Sequence, residues 1–306
     1  MTIPRRTFLQ SASASFGVAL LDHVPFPSLH SDLEKVFEEI RANLLEMINE
    51  ERAVAKVPPV AIDELATTVA TQHAVDMAGA EYASHWGRDG LKPYHRYSFA
   101  GGTGATQENV SAADNTWSMK LKDLKQDTAY LHLRLYQEKP PNDGHRQTIL
   151  APQHTHVGFG VAVDQLRLRL VELFVTKHVE VDPIHRVAKP GDQLSFLAKI
   201  VNQKHVLNHV EVFYEPLPTQ PELGWLRQPR SYSLPFESKM LWPKLLPPLM
   251  YADRTRGVVD VFSRGGFRAP VRFFKNQPGI YTIVSWLRTE RAEKAFPATE
   301  VCIRVE

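Results

Sequence analysis

The apolar residues in the first part of the chain recur at three- and four-residue spacing, which predicts three helices. The first follows a capping box, Ser31-Asp-Leu-Glu34, and ends before Val57-Pro58-Pro59. The second follows Asp63, a residue suited to cap it, and the third covers residues 117–136. The inward faces of the three predicted helices comprise Leu33, Val36, Phe37, Ile40, Leu44, Met47 and Ile48; Leu65, Ala66, Val69, Ala70, Ala74 and Met77; and Leu121, Leu124, Leu131 and Leu135.

The period changes to two near residue 157. Apolar residues at 157, 159, 161 and 163 alternate with glycine and alanine, and Asp164-Gln165 offers a turn. The return stretch, residues 166–176, places leucines opposite Arg167 and Arg169. The pattern predicts an antiparallel hairpin with one buried face. Three helices that enclose a sheet form α-β-α layers, so we expect an α/β domain here.

A period of two continues beyond Asp192, with proline-rich turns between the strand candidates. This predicts an all-β sandwich. Gly279-x-Tyr281-x-Ile283 resembles the tyrosine corner of immunoglobulin-like domains. Residues 216–248 show no period and contain several prolines, which indicates a long loop that packs on the first domain or forms a contact surface. The predicted strands are residues 194–201, 210–214, 258–262, 271–274 and 279–286.

Charge and length support two domains. The 306 residues have a net charge of +2, but residues 1–180 sum to −4 (18 basic, 22 acidic) and residues 181–306 to +6 (18 basic, 12 acidic). We therefore predict one domain at 31–180 and another at 181–306. The near-neutral balance argues against nucleic-acid binding. The single cysteine excludes an internal disulfide framework, and there is no apolar run long enough for a transmembrane anchor.

The N-terminus has the pattern of an export signal. Arg5-Arg6-Thr7-Phe8-Leu9-Gln10 resembles the twin-arginine motif, and a weakly apolar tract without acidic residues follows it. Residues 1–30 are therefore predicted to be a twin-arginine export signal, which would deliver the protein to the periplasm or the exterior. The alternative is a chance arginine pair in an unstructured terminus.

Five short motifs occur in a fixed order between residues 36 and 178. They are Gln72-His-Ala-Val-Asp-Met77, Ser84-His-Trp-Gly87, Gln107-Glu-Asn-Val110, Gly144-His-Arg-Gln-Thr-Ile-Leu150 and Thr155-His-Val-Gly-Phe-Gly160. This order resembles the CAP superfamily (cysteine-rich secretory, antigen 5 and pathogenesis-related 1 proteins, or SCP domains), in its bacterial, disulfide-free form. The resemblance implies a three-layer α-β-α CAP sandwich, followed here by the all-β, immunoglobulin-like sandwich.

The resemblance also implies a central cleft with two histidines and acidic partners. By motif position these are His85, Glu108 and His145, and Glu138 lies in the region of a second cleft glutamate. Two imidazoles and a carboxylate suit a divalent metal such as Zn²⁺, with His85 and His145 as ligands. The alternative is a structural hydrogen-bond network in which Glu108 orients an imidazole.

Other candidate residues have simpler interpretations. His73 beside the second helical face is expected to be a hydrogen-bonded core histidine, and Cys302 a buried, inert thiol. His154 and His156 could form a metal pair if both lay on one strand, or simply precede the hairpin. A nucleophile elbow is missing from the sequence, so no catalytic residue is assigned.

These observations favour an exported, non-enzymatic binding module whose cleft holds a small ligand or a divalent metal. Its partner would be a protein, a lipid or a cell-surface ligand. The alternative is a metal-dependent hydrolase of peptides, esters or cell-wall fragments, with Glu108 or Glu138 as general base. A third hypothesis makes the β-sandwich the functional part, anchored to a surface, with the first domain as scaffold.

Overall fold

The structure is a computed structural model that describes residues 27–114, 120–164, 166–289 and 294–306. Two 3₁₀ turns, Leu121–Asp123 and Ser263–Gly265, accompany the helices. Within the described ranges the α-helices are α1 Pro27–Val54, α2 Glu64–Gly79, α3 Pro93–Phe99, α4 Leu124–Tyr136, α5 Gly144–Leu150 and α6 Leu223–Leu226.

The strands form three sheets. Their order is β1-β3-β4-β2 in the first sheet, β10-β11-β7-β5 in the second and β6-β14-β12-β8-β9 in the third, where β13 also pairs with β12. The bounds are β1 Ala61–Ile62, β2 Ala105–Asp114, β3 His156–Asp164, β4 Arg167–Thr176, β5 Val179–Val181, β6 Val187–Ala188, β7 Gln193–Ile200, β8 His205–Glu215, β9 Ser238–Leu241, β10 Asp260–Val261, β11 Gly266–Arg272, β12 Gly279–Thr289, β13 Phe296–Pro297 and β14 Val301–Val305.

The first sheet lies between two layers of helices. Helices α1, α4 and α5 bury their apolar side chains against one face, around Phe159 and Phe174. Helix α2 covers the other face, where Val171 and Leu173 point. The α-β-α layering predicted from sequence is therefore confirmed. The prediction that the hairpin has one buried face is wrong, because Arg169 is also buried and donates to the carbonyl of Tyr82 at 2.8 Å.

Two glycines of β3 allow α2 to approach the sheet closely. A Cβ atom on Gly158 would collide with the backbone of Ala66 and Thr67, and one on Gly160 would collide with the backbone of Ala70. The alternation of large and small residues in β3 therefore lets α2 lie closer to the sheet than α1 and α4 do on the other face. Large side chains face α1 and α4, and glycines face the helix backbone of α2.

The C-terminal part is a β-sandwich. The second and third sheets share one hydrophobic core, with Phe196 and Phe267 from one sheet against Tyr281 and Ile283 from the other. The Tyr281 hydroxyl donates to the backbone carbonyl of Gln277 at 3.3 Å, and this side-chain-to-backbone hydrogen bond defines a tyrosine corner. Both the sandwich and the corner were predicted from sequence, and the structure confirms them.

The third sheet is buried on both faces, because its outer face packs on the first part of the chain. Ile280 and Cys302 form a small apolar cluster with Tyr94 of α3. Main-chain bonds reinforce this seam: the Ala105 amide donates to the Ala298 carbonyl, and the Glu300 amide donates to the Thr103 carbonyl, both at 3.2 Å. The two parts are thus joined by backbone pairing as well as side chains.

Several element boundaries differ from the predictions. Helix α1 begins at Pro27, four residues before the capping box predicted at Ser31. Helices α3 and α5 are too short to produce a periodic apolar pattern and were not predicted. The predicted twin-arginine segment around Arg5 and Arg6 lies outside the described residues. Among the helices that are described, none combines the length and hydropathy needed to cross a bilayer.

A buried ion network ties three elements of the first part together. His132 of α4 is fully buried, with its Nδ1 2.6 Å from Glu172 of β4 and its Nε2 3.1 Å from Glu51 of α1. Burial alone would lower the pKa of His132, but the two carboxylates outweigh it and raise the pKa to about 10. Asn109 of β2 extends the network, since its amide nitrogen donates to Glu172 at 3.1 Å and to the His145 carbonyl at 3.2 Å.

We expect His132→Leu to destabilise the fold by about 3–5 kcal/mol, because it leaves the buried Glu172 carboxylate without its cation. The stabilisation by His132 should be complete below pH 6.5, its ordinary pKa, and should disappear as the pH rises through about 10. Urea unfolding at pH 6.5 and at higher pH measures both effects. His185→Leu, at an exposed histidine, is the control. An equal loss in the two variants would contradict the assignment.

Candidate functional site

The four residues predicted for the cleft line one cavity of about 840 Å³. His85 lies in the loop between α2 and α3, and Glu108 lies in β2. Glu138 follows the end of α4, and His145 is in the first turn of α5. These residues are far apart in the sequence but lie close together in space. They meet because β2 is an edge strand of the first sheet and the other three segments pack beside it.

Glu108 is the most strongly paired acid of the cavity. Its Oε1 lies 3.0 Å from Nδ1 of His85, and its Oε2 accepts a hydrogen bond from Nη2 of Arg96 at 2.6 Å. Burial alone would raise the pKa of Glu108, but Arg96 and the neighbouring histidines outweigh it and lower the pKa to about 2. Arg96 also donates from Nη1 to the His85 carbonyl at 2.8 Å, so it holds both members of the pair.

Glu138 and His145 form a second pair of the same kind. Oε1 of Glu138 lies 2.6 Å from Nδ1 of His145, and its Oε2 accepts from the His145 backbone N–H at 3.1 Å. Glu138 therefore also binds a free amide at the start of α5. This pair is more accessible than the first, with 35% of the His145 side chain exposed. The structure brings Glu138 to the cavity, although it lies beyond the periodic stripe of α4.

One family model matches this part of the chain. Residues 45–175 match the family model described as the cysteine-rich secretory protein family, CAP. This part of the chain is a CAP domain. The search of curated proteins finds no match.

Two solved structures match part of the chain. An extracellular protein containing an SCP domain from Bacillus anthracis str. Ames has 21% identity and a TM-score of 0.34, over 44% of this chain and 40% of that one. An outer surface protein from Borrelia burgdorferi has 18% identity and a TM-score of 0.35, over 45% of this chain and 92% of that one.

A segment of the C-terminal part crosses the CAP domain and forms one wall of the cleft. We call residues 216–237 the crossing segment. Leu226 is buried in the α2 core cluster, and the Trp225 ring packs edge-on against Trp86 with centroids 5.2 Å apart. Arg227 donates to the Glu81 carbonyl at 3.0 Å. The aperiodic stretch predicted as a packing loop therefore does pack on the first domain.

Tyr232 of the crossing segment reaches the predicted site itself. Its hydroxyl accepts a hydrogen bond from the Glu108 backbone N–H at 2.8 Å, and its ring centroid lies 4.8 Å from that of His85. Burial raises the pKa of Tyr232 well above its ordinary value, so the phenol is neutral. The sequence shows nothing around this tyrosine that predicts its position.

Glu300 is a second cleft residue that sequence reasoning missed. It precedes β14 and lines the same cavity from the C-terminal side. Its Oε2 accepts hydrogen bonds from the Thr106 amide at 2.8 Å and from the Thr106 hydroxyl at 3.0 Å. Burial nevertheless raises the pKa of Glu300 to about 8. A carboxyl group that is largely protonated at neutral pH can donate a hydrogen bond into the cleft.

The other candidate residues behave as ordinary structural groups. His73 is buried with its Nε2 2.7 Å from the Ser84 carbonyl, and burial lowers its pKa to about 4, which confirms the core interpretation. His154 precedes β3 and His156 begins it, so the two histidines do not lie on one strand. His154 contacts Gln107 at 2.8 Å, and His156 contacts Thr155. Cys302 is buried, and burial raises the pKa of its thiol to about 12.

The donor set does not match a closed zinc site. Each cleft histidine has its Nδ1 bound to a glutamate, which is the usual orientation for a ligating imidazole and leaves Nε2 available. A protein-bound zinc ion, however, requires at least three protein ligands. Within the described part of the chain, no group of three or more His, Cys, Asp or Glu side chains is arranged to hold a metal. The assignment of a metal to His85 and His145 therefore stays a prediction.

We expect Glu300→Gln to stabilise the protein increasingly as the pH rises. Between pH 4.5 and about 8 the unfolded Glu300 ionises while the folded one stays protonated, so the wild-type protein loses stability that the variant keeps. The difference should be near zero at pH 4 and about 1–3 kcal/mol at pH 8. Chemical unfolding across this range measures it, with the exposed Glu222→Gln as control. A pH-independent difference would rule out a protonated Glu300.

Proposed function

We propose that the protein is an exported, non-enzymatic binding module whose ligand site is a cleft shared by the CAP domain and the C-terminal sandwich. The observation that carries this proposal is the single cavity lined by His85, Glu108, Glu138 and His145 on one side and by Tyr232 on the other. Its volume of about 840 Å³ is in the range of small-molecule sites. Export rests on the Arg5-Arg6 motif alone.

The cleft chemistry favours a neutral organic ligand with both donors and acceptors. The side-chain oxygen Oδ1 of Asn109 is buried without a hydrogen-bond partner among the described residues. Asn109 lines the cavity, and its Oδ1 would accept a ligand N–H or O–H. Protonated Glu300 offers a donor, and each cleft histidine offers its Nε2. Glu108 is neutralised by Arg96, so the buried wall does not demand a charged ligand.

The metal-dependent hydrolase is the second candidate, and the geometry supports it less well. A general base works best with a pKa near the operating pH. Glu108 has a pKa of about 2 and both carboxylate oxygens engaged, so it is a weak base. Glu138 is occupied by the side chain and the backbone N–H of His145. These hydrogen bonds suit both glutamates to orienting the histidines rather than to transferring protons.

Zinc loading separates the two candidates. We expect protein incubated with ZnCl₂ and then gel-filtered to retain little zinc, with no difference between the wild type and the His85→Ala, His145→Ala variant, because two imidazoles do not complete a zinc site. Elemental analysis measures the content, and a variant at His156 and His185 is the matched control. Stoichiometric zinc that only the cleft variant loses, together with ester or peptide hydrolysis, would establish the hydrolase instead.

Tyr232 provides the test of the shared cleft. A library of neutral small molecules, screened by ligand-observed saturation-transfer NMR, should yield binders that compete with one another. We expect Tyr232→Ala and His145→Ala each to weaken these binders at least tenfold, since both side chains line the cavity. The exposed His185→Ala should leave binding unchanged. Circular dichroism confirms that each variant is folded.

Two results would contradict the proposal. Binders that are lost in His145→Ala but unaffected by Tyr232→Ala would confine the site to the CAP domain. A library that yields no binder dependent on either residue would remove the cleft as a ligand site.

A further inference from the structure

One loop of the C-terminal sandwich exposes an unusual run of apolar residues. Leu246-Pro-Pro-Leu-Met250 forms the tip of the loop that connects β9 to β10, and all five residues are exposed. The exposed fractions are 79% for Leu246, 61% for Leu249 and 60% for Met250. An isolated exposed leucine is common on protein surfaces, but five consecutive apolar residues at a loop tip indicate a binding surface.

The tip is presented by an ordered base. The Leu245 amide donates to the Arg256 carbonyl at 2.8 Å, and the Lys244 amide donates to the Val259 carbonyl at 2.8 Å. The Tyr251 hydroxyl donates to the Pro243 carbonyl at 2.8 Å. The loop therefore closes on itself and presents its apolar residues outward instead of folding them onto the sandwich.

The surroundings of the tip are positively charged. Residues 239–268 contain six Lys and Arg residues and only two acidic residues, for a net charge of +4. Asp260 is already shared by Lys244 and Arg268, at 2.6 and 2.7 Å. The other acid, Asp253, accepts hydrogen bonds from Thr255. The local excess of positive charge is thus available to an external anion.

Aromatic residues lie between the apolar tip and the sandwich. The rings of Trp242 and Tyr251 pack against each other with centroids 5.4 Å apart, and both are half-buried at the base of the loop. This arrangement matches the layers of a bilayer. The apolar tip corresponds to the hydrocarbon, Trp and Tyr to the interface, and the nearby cations to the headgroups. A protein partner would not require this gradient.

We infer that the 244–256 loop docks the protein on a bilayer of anionic lipids. Leu246, Leu249 and Met250 would enter the acyl boundary, and Arg254 and Arg256 would contact the lipid phosphates. The binding is peripheral and reversible, because one loop buries far less apolar surface than a spanning helix. This inference uses none of the cleft residues and is independent of the proposed ligand site.

Vesicle co-sedimentation of the full chain tests the inference. We expect binding to phosphatidylglycerol–phosphatidylcholine vesicles, weak binding to pure phosphatidylcholine, and loss of binding at high salt. Leu246→Asp combined with Leu249→Asp should lower the partition coefficient more than tenfold. Arg254→Ala combined with Arg256→Ala should lower it about tenfold. Val54→Asp, at an exposed valine of α1, is the matched control and should change nothing.

Three results would overturn the inference. The full chain could fail to sediment with anionic vesicles. It could bind them equally well with the aspartate substitutions, which would assign binding to another segment such as the N-terminus. The substitutions could instead abolish self-association measured by analytical ultracentrifugation without any effect on vesicles, which would make the loop a protein contact.

Discussion

The arrangement of the cleft depends on the interactions that neutralise the buried carboxylate of Glu108. An ionised carboxylate inside a protein is tolerated only when charges and hydrogen-bond donors surround it. Here Arg96 comes from α3 and His85 from the loop before it, while Tyr232 of the crossing segment accepts from the same residue's backbone N–H. Three distant pieces of chain therefore converge on one residue of an edge strand.

This convergence makes the two parts of the protein one structural unit at the cleft. The sandwich contributes Tyr232 and Glu300 to the cleft, and backbone hydrogen bonds at residues 103–105 hold the seam. Removal of the sandwich would take away Ile280 and Cys302 and leave Tyr94 of α3 uncovered. The sandwich therefore forms one wall of the candidate site, and the loop between its strands β9 and β10 carries the exposed apolar residues.

Much of the fold could be predicted from periodicity. The predictions of α1, α2, α4 and the antiparallel hairpin were correct, because each element has a local apolar pattern long enough to repeat. Short helices α3 and α5 left no such pattern. The burial of Arg169 also could not be predicted, because an arginine between leucines normally marks a solvent face. Its burial is tolerable because the guanidinium donates to backbone carbonyls, including that of Tyr82, and pairs with Asp114.

The sequence by itself indicated the family of the first domain and named His85, Glu108 and His145, because these residues sit in ordered motifs. Glu138 was named only from its position in the region where the family carries a second glutamate. The sequence could not determine the partners of these residues. Tyr232 and Glu300 lie in stretches without motif or period, and their role follows from where the crossing segment and β14 dock on β2. The tertiary structure alone decided that the cleft has a second wall, because long-range packing and burial, rather than local pattern, set the environment and the pKa of each group.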